Sequence, residues 1–138
     1  MTRLDALAIT QTALKFAYAG HIVAWFCFLF VVHTLNPPQR DVSALVLAVL
    51  AVVAVSAIVV GFLMRKKFFT QSTEALPNDP RRAQGLRTSA TLIGLSCAMS
   101  VTVYGVVLKF LGSSWLVTGI FFAVSLSFLV LWRPREPA

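Results

Sequence analysis

The apolar parts of this chain are free of charge. Residues 16–35, 42–64, 88–108 and 115–132 contain no Asp, Glu, Lys or Arg. Across all 138 residues 12% are charged and only 5 are acidic, while 58% are hydrophobic. A water-soluble domain carries about 25% charged residues and needs them on the outer face of each element. The missing charge therefore excludes a soluble globular domain. The missing acids also remove the group that coupled ion translocation usually requires inside an apolar span.

Cysteine and histidine are scarce as well. Cys27 and Cys97 stand alone, with no metal-ligand spacing around either. In hydrocarbon each thiol behaves as a small apolar group, and the two meet only if helices one and three bring them to one depth. His21 and His33 are the only histidines. On one helix they differ by about 18 Å in height and about 120° in azimuth, so one metal or haem cannot take both. Met99 or Met64 is the remaining candidate for an axial ligand opposite His21. The composition implies no bound cofactor.

Processing and anchoring signals are missing too. The first apolar stretch exceeds the roughly 7–15 residues of a secretory core, and "HTLNPPQRD" offers no small-residue cleavage site. It is expected to be a retained helix. Thr2 and the ending "REPA" fit no lipidation motif.

What is present is length. A bilayer core roughly 30 Å thick takes about 20 apolar residues at 1.5 Å each. The four uncharged stretches meet or approach that length. They predict an all-α membrane protein with four transmembrane helices in an up-down bundle, built as one membrane domain over residues 1–138. The connections suit it. Pro37-Pro38 ends the first helix. Gly112 reads as a C′ residue, with Ser113 or Ser114 as the next N-cap. Residues 65–87 read as a polar loop, with Asp79-Pro80 as N-cap and N1 of a third helix that begins ahead of its apolar part. Thr2 and Asp5 are spaced like a weak capping box for helix one.

Lys and Arg predict the orientation. Arg3, Lys15, the six basic residues of 65–87 (Arg65, Lys66, Lys67, Arg81, Arg82 and Arg87), Arg133 and Arg135 share one side of a four-span chain, leaving Arg40 and Lys109 opposite. Both termini and the loop are expected to be cytoplasmic, in an integral plasma (inner) membrane. The net charge of +7 needs no nucleic-acid partner, because the basic residues lie beside span ends. There they also attract anionic lipid headgroups, at roughly 1 kcal/mol each. Trp115 and Trp132 bracket the last span about 25 Å apart, as interface anchors do.

Small residues draw packing seams, since close backbone approach holds helices together in lipid. Ala13, Ala17, Gly20, Ala24 and Cys27 form one seam. Ala44, Ala48, Ala51, Ala54, Ala57 and Gly61 form a second. Helix three offers Ala90, Gly94 and Ala98, with Gly105 further on, and helix four offers Gly119, Ala123 and Ser127. His21 is placed to bond a hydroxyl across a seam. In "LSCAMSVTVYGVVLKFLG", Ser96, Ser100 and Thr102 can each bond the carbonyl one turn back. Ser96 and Ser100 share a face that favours an interhelical contact worth about 0.6 kcal/mol per bond.

Residues 97–112, "CAMSVTVYGVVLKFLG", resemble the second helix of rotary ATPase proteolipids through Tyr104-Gly105-Val106-Val107. The ion-binding acid of that family is replaced by Met99-Ser100, and no Gly-rich partner helix occurs, so ion translocation does not carry over. With "YGVVLKFLG" and "WRPREP", the whole chain is more similar to uncharacterised small four-helix bacterial integral membrane proteins, a resemblance that implies no activity. The expectation is a non-enzymatic membrane component, an accessory or structural subunit acting with other membrane subunits or with itself. The alternatives are a small oligomeric transporter or channel using His21 and the Ser96/Ser100 face, or a haem- or quinone-associated anchor using His21.

Overall fold

The computed structural model describes residues 3–134, with side chains from residue 10 onward. The chain forms α1 (Arg3–Leu35), α2 (Ala44–Ala75), α3 (Pro80–Phe110) and α4 (Trp115–Leu131), without a strand among the described residues. Three segments are long and apolar enough to cross a membrane: Thr10–Leu35, Ala44–Ala75 and Pro80–Phe110. At 17 residues α4 is shorter, about 26 Å.

Local chemistry sets the helix ends. Asn36 adopts φ +35° after α1, a conformation Asn tolerates, and Pro37-Pro38 follows. The Asp79 carboxylate accepts from the Arg82 amide at 3.0 Å with Pro80 at N1, as expected. The Thr2–Asp5 capping pair lies outside the described residues. Residues 65–87 are not a loop: α2 runs to Ala75 and α3 starts at Pro80, so only residues 76–79 are non-helical. The reason is composition. "RKKFFTQSTEA" contains neither Gly nor Pro, and Arg, Lys, Gln, Glu and Ala are strong helix formers. Ser72 and Arg87 join the two arms at 3.4 Å.

Successive helices alternate in direction. Gly61 faces Cys97 and Ser72 faces Arg87, so α2 and α3 are antiparallel. Thr102 meets Ser125 while Gly94 lies against Trp132, so α3 and α4 are antiparallel too. The helices do not form a ring in which each packs on its sequence neighbours. α3 is the hub, approached closely by all three others, while the backbones of α1 and α2 stay apart among the described residues. Trp25 on α1 donates its Nε1–H to the Phe122 carbonyl at 3.1 Å, tying α1 to α4.

The α3 seam and the later part of the α2 seam are packing faces, while Ala44 and Ala48 are exposed. On α2, Ala54 and Gly61 are buried; on α3, Ala90, Gly94 and Ala98 are. On α1 and α4 most of the small residues face outward, with Ala17 and Ala24 half-buried. A β-carbon added at Gly20 or Gly119 would meet nothing within 4 Å, and Ala13, Ala123, Cys27 and Ser127 are exposed. These helices pack instead through Leu14, Trp25 and Val32, and through Thr118, Phe122, Ser125 and Leu129. The same 3.5-residue period carries both patterns, so spacing alone does not choose the face. Cys97 packs beside Gly61 while Cys27 is exposed, and both thiols are free.

The turn after α3 is a Schellman motif: the Gly112 amide bonds the Lys109 carbonyl, and the Ser113 amide bonds the Leu108 carbonyl, each at 3.0 Å. Gly112 has φ +106°, and its carbonyl accepts from the Arg40 amide at 2.8 Å. This clasp places Arg40 and Lys109 at one end of the protein. The Lys109 ammonium is buried there, donating to the Ser113 carbonyl at 3.2 Å and lying 4.8 Å from the Trp115 ring centre. Replacing Gly112 with Ala is expected to cost about 2 kcal/mol in stability and speed hydrogen exchange at the Arg40 amide, through a strained φ and a β-carbon 2.7 Å from that of Arg40. Gly119→Ala, in open space, is expected to stabilise by about 0.5 kcal/mol.

Candidate functional site

The polar groups of α3 do not form the expected strip. Ser96 is exposed and Ser100 donates to the Ser96 carbonyl at 3.0 Å, one turn back on its own helix. α3 instead turns Leu95, Ala98 and Thr102 inward, and Ser96 lies about 100° around from Leu95. The interhelical bond forms at Thr102, whose hydroxyl is 2.6 Å from that of Ser125. Ser125 donates to the Ala98 carbonyl at 2.7 Å, so Thr102 must be the donor to Ser125. Ser125 thereby takes the carbonyl that Thr102 would otherwise have used.

His21 is half-buried and bonds the Ala17 carbonyl at 2.7 Å through Nδ1. A carbonyl can only accept, so Nδ1 carries a proton. Met99, the candidate opposite ligand, packs on the apolar cluster of Trp25, Leu95 and Ala98. Gly105 is a packing position, where an added β-carbon would lie 2.9 Å from that of Phe121. The structure thus brings Gly94 and Gly105 into helix contacts. It joins His21 to neither Ser96 nor Ser100, and it closes no cluster of three metal-ligating side chains among the described residues.

The most distinctive space lies at the other end, and it exists because α4 is short. Trp132, the C-cap of α4, is buried and rests on Gly94, where an added β-carbon would come within 3.1 Å of its ring. It is no interface anchor facing outward, as its place at the end of the apolar run suggested. From Gly94 back to Pro80, α3 extends roughly 20 Å beyond that point, with α1 and α2 beside it. These three helices form walls, and Leu131, Trp132, Arg133 and Pro134 close one end. The vault so formed has a volume of about 1040 Å³.

Its lining is mixed, with Gln11, Gln84, Thr88 and Thr91 as neutral polar groups. Leu14, Phe62, Phe69, Leu76, Leu131 and Trp132 supply apolar surface, and Arg65, Lys66, Arg87 and Arg133 supply positive charge. No carboxylate lines it. The Arg65 guanidinium lies 5.2 Å from the Phe69 ring centre and 5.7 Å from that of Trp132, so two aromatic faces hold it. Arg87 spends Nε on Ser72, which itself donates to the Phe69 carbonyl at 2.7 Å. Thr91 donates to the Arg87 carbonyl at 3.0 Å. Thr88 differs: its hydroxyl oxygen is buried and has no hydrogen-bond partner among the described residues. Buried hydroxyls are normally bonded. Cations gathered in a concave, partly apolar space raise the local concentration of anions.

Sequence reasoning assigned these basic residues to topology and to anionic headgroups, not to a shared cavity, and missed Thr88, Thr102 and Ser125 as partners. The available signal was the mismatch between a short fourth helix and helix-forming arms on either side of residues 76–79. No family model matches the chain, nor does any curated protein or solved structure.

Proposed function

We propose that the protein is a non-enzymatic integral component of a bacterial plasma membrane, an accessory or structural subunit that assembles laterally with other membrane subunits or with copies of itself. In this reading α4 spans together with the three longer helices. The basic end, with both termini, faces the cytoplasm and its anionic headgroups, because Arg65, Lys66, Arg87 and Arg133 lie together there while Arg40 and Lys109 lie at the far end.

The observation that carries this reading is the one-sided attachment of α2. It packs along α3, and its backbone approaches neither α1 nor α4 closely among the described residues, with Trp132 just past α4 resting on Gly61 and Arg65. Its remaining circumference is exposed and rich in valine: Val49, Val52, Val53, Val55, Val59 and Val60. Valine is stiff at χ1, so a helix surface of valines loses little side-chain entropy when another helix docks on it. Packing contacts, rather than removal from water, supply the association energy in lipid. The hydroxyls of Ser56, Ser100, Thr102 and Ser125 are bonded within the protein and are not arranged as a transport path.

The test is the mass of the particle released from native membranes by a mild detergent, read by native mass spectrometry. A particle containing further membrane subunits is the expected result. A bare 15.1 kDa monomer would remove the subunit reading. A bare homo-oligomer would restrict it to self-assembly.

A further inference from the structure

We propose that the vault is an aqueous vestibule, open to the cytoplasm, whose floor at Trp132 and Arg133 carries water about 6 Å below the surrounding edge of the hydrocarbon. Beside α4 the apolar barrier is then about 26 Å instead of about 32 Å. The proposal rests on the membrane placement given above, and not on the subunit role.

Helix lengths set the depth. The uncharged stretches 44–64 of α2 and 88–108 of α3 hold 21 residues each, about 32 Å. The 17 residues of α4 span about 26 Å. At the far end these helices finish together, because Lys109 of α3 lies on the Trp115 ring of α4 and the Arg40 amide, just before α2, bonds the Gly112 carbonyl. The whole deficit therefore falls at the cytoplasmic end, where Arg133 follows at once. Direct contact gives the same answer. Trp132 rests on Gly61 and Gly94, which lie four and seven residues short of the first charged position on α2 and on α3.

The lining selects water. Arg133 is exposed at the floor. Counted along the helices from Gly61 and Gly94, Lys66 stands about 7 Å higher, Arg87 about 10 Å and Gln84 about 15 Å, so polar groups occur at every level up to the mouth. The volume of about 1040 Å³ holds roughly 30 water molecules. Acyl chains in the same space would leave the Arg133 guanidinium and the Gln84 amide against hydrocarbon, which disfavours both. A charge at membrane depth persists where it faces a water-filled cavity. The backbone makes the same demand. The chain leaves the helix at Trp132, and residues 133–134 are irregular at a depth where only surrounding protein or water satisfies their peptide groups.

The experiment compares neighbouring positions of matched exposure, inside and outside the vault. It uses the full chain with Cys27→Ala and Cys97→Ala, in membrane vesicles turned cytoplasmic side outward. The added cysteines are Phe62→Cys and Leu131→Cys, which line the vault, and Leu63→Cys and Val130→Cys, which lie outside its lining. In the native chain Phe62 is 55% and Leu63 58% exposed, and Leu131 is 59% and Val130 54%, so accessibility within the protein does not separate the pairs. Leu63 is even a residue nearer the cytoplasm than Phe62. Each variant is labelled with a small, membrane-impermeant methanethiosulfonate, and its rate is normalised to that in denaturing detergent. Phe62→Cys is expected to react at least ten-fold faster than Leu63→Cys, and Leu131→Cys at least ten-fold faster than Val130→Cys. Anionic and cationic reagents of the same size should give the same ranking, because water and not charge admits them. The pairs lie on two helices, so either decides the matter if a variant of the other fails to insert. Four equally slow positions overturn the vestibule and leave the membrane placement standing. Four equally fast positions overturn the placement as well, since the lipid-facing residues would then lie in water. A contrast seen with the anionic reagent alone also overturns the proposal, since the space would then select anions and not water.

Discussion

Gly61→Val is expected to unseat α2, lowering stability by about 3 kcal/mol and exposing residues 76–79 to protease. The reason is the distance of closest approach between two helices. A β-carbon at position 61 would lie 2.8 Å from the Cys97 β-carbon and 3.1 Å from its sulfur, with the Trp132 ring at 3.3 Å. The closest of these atoms is attached directly to a helix backbone and cannot rotate away, so the helices must separate. Overpacking of this kind costs about 1–3 kcal/mol where neighbours can adjust. Here α2 is held chiefly by α3, with Trp132 just past α4 resting on Gly61 and Arg65. The diagnosis has a specific rescue. Cys97→Gly should restore Gly61→Ala to within about 1 kcal/mol, the helix penalty of a glycine. Cys97→Ala should not, since it keeps the offending β-carbon. A detergent-unfolding series followed by helicity distinguishes the two.

The second large effect is expected at Trp25. It sits among Leu95, Ala98, Phe122, Leu129 and Trp132, edge-on to Phe122 with ring centres 5.6 Å apart. Its indole N–H also reaches the Phe122 carbonyl. Trp25→Ala is expected to cost about 3 kcal/mol, the low end for a buried aromatic truncated to alanine. The low end applies on the proposed membrane placement, in which a detached α1 stays in lipid and the water-transfer part of the usual cost is absent. Trp25→Phe keeps the ring contact and loses the N–H bond, so about 1 kcal/mol is expected. The same unfolding measurement checks both. An equal loss in the two variants would place the strength of this joint in the hydrogen bond, not in the packed ring.

The two joints differ in how far residue type reveals them. Gly61 and Gly94 stood out as parts of small-residue stripes, and those stripes are where α2 and α3 meet. The same reasoning applied to Gly20 and Gly119 picked faces that touch nothing. An alanine or glycine stripe permits close approach but does not require it, and large residues such as Trp25 and Leu14 fill a wider gap equally well. Trp25 lies in an aromatic-rich helix where Phe16, Phe26 and Phe30 are exposed, so its burial could not be read from its type. Thr102 and Ser125 were similarly hidden. A hydroxyl in a helix can always bond the carbonyl one turn back, and only the facing helix determines whether it does.

The sequence alone determined the elements that depend on neighbours along the chain. Uncharged runs of sufficient length make apolar helices, Asp79-Pro80 starts α3, and Gly112 ends it with a left-handed turn. Those outcomes rest on propensity, capping and sterics within a few residues. Tertiary structure decided what depends on residues distant in the chain: that α3 is the hub, that α1 and α2 stay apart, and that Ser125 takes the Ala98 carbonyl. It also decided that the helical arms beyond Trp132 enclose a basic vault. No local rule specifies these, because several seams have the same period and lipid tails are as apolar as the side chains they compete with. The choice among them is made by contact geometry, ångström by ångström, between whole helices.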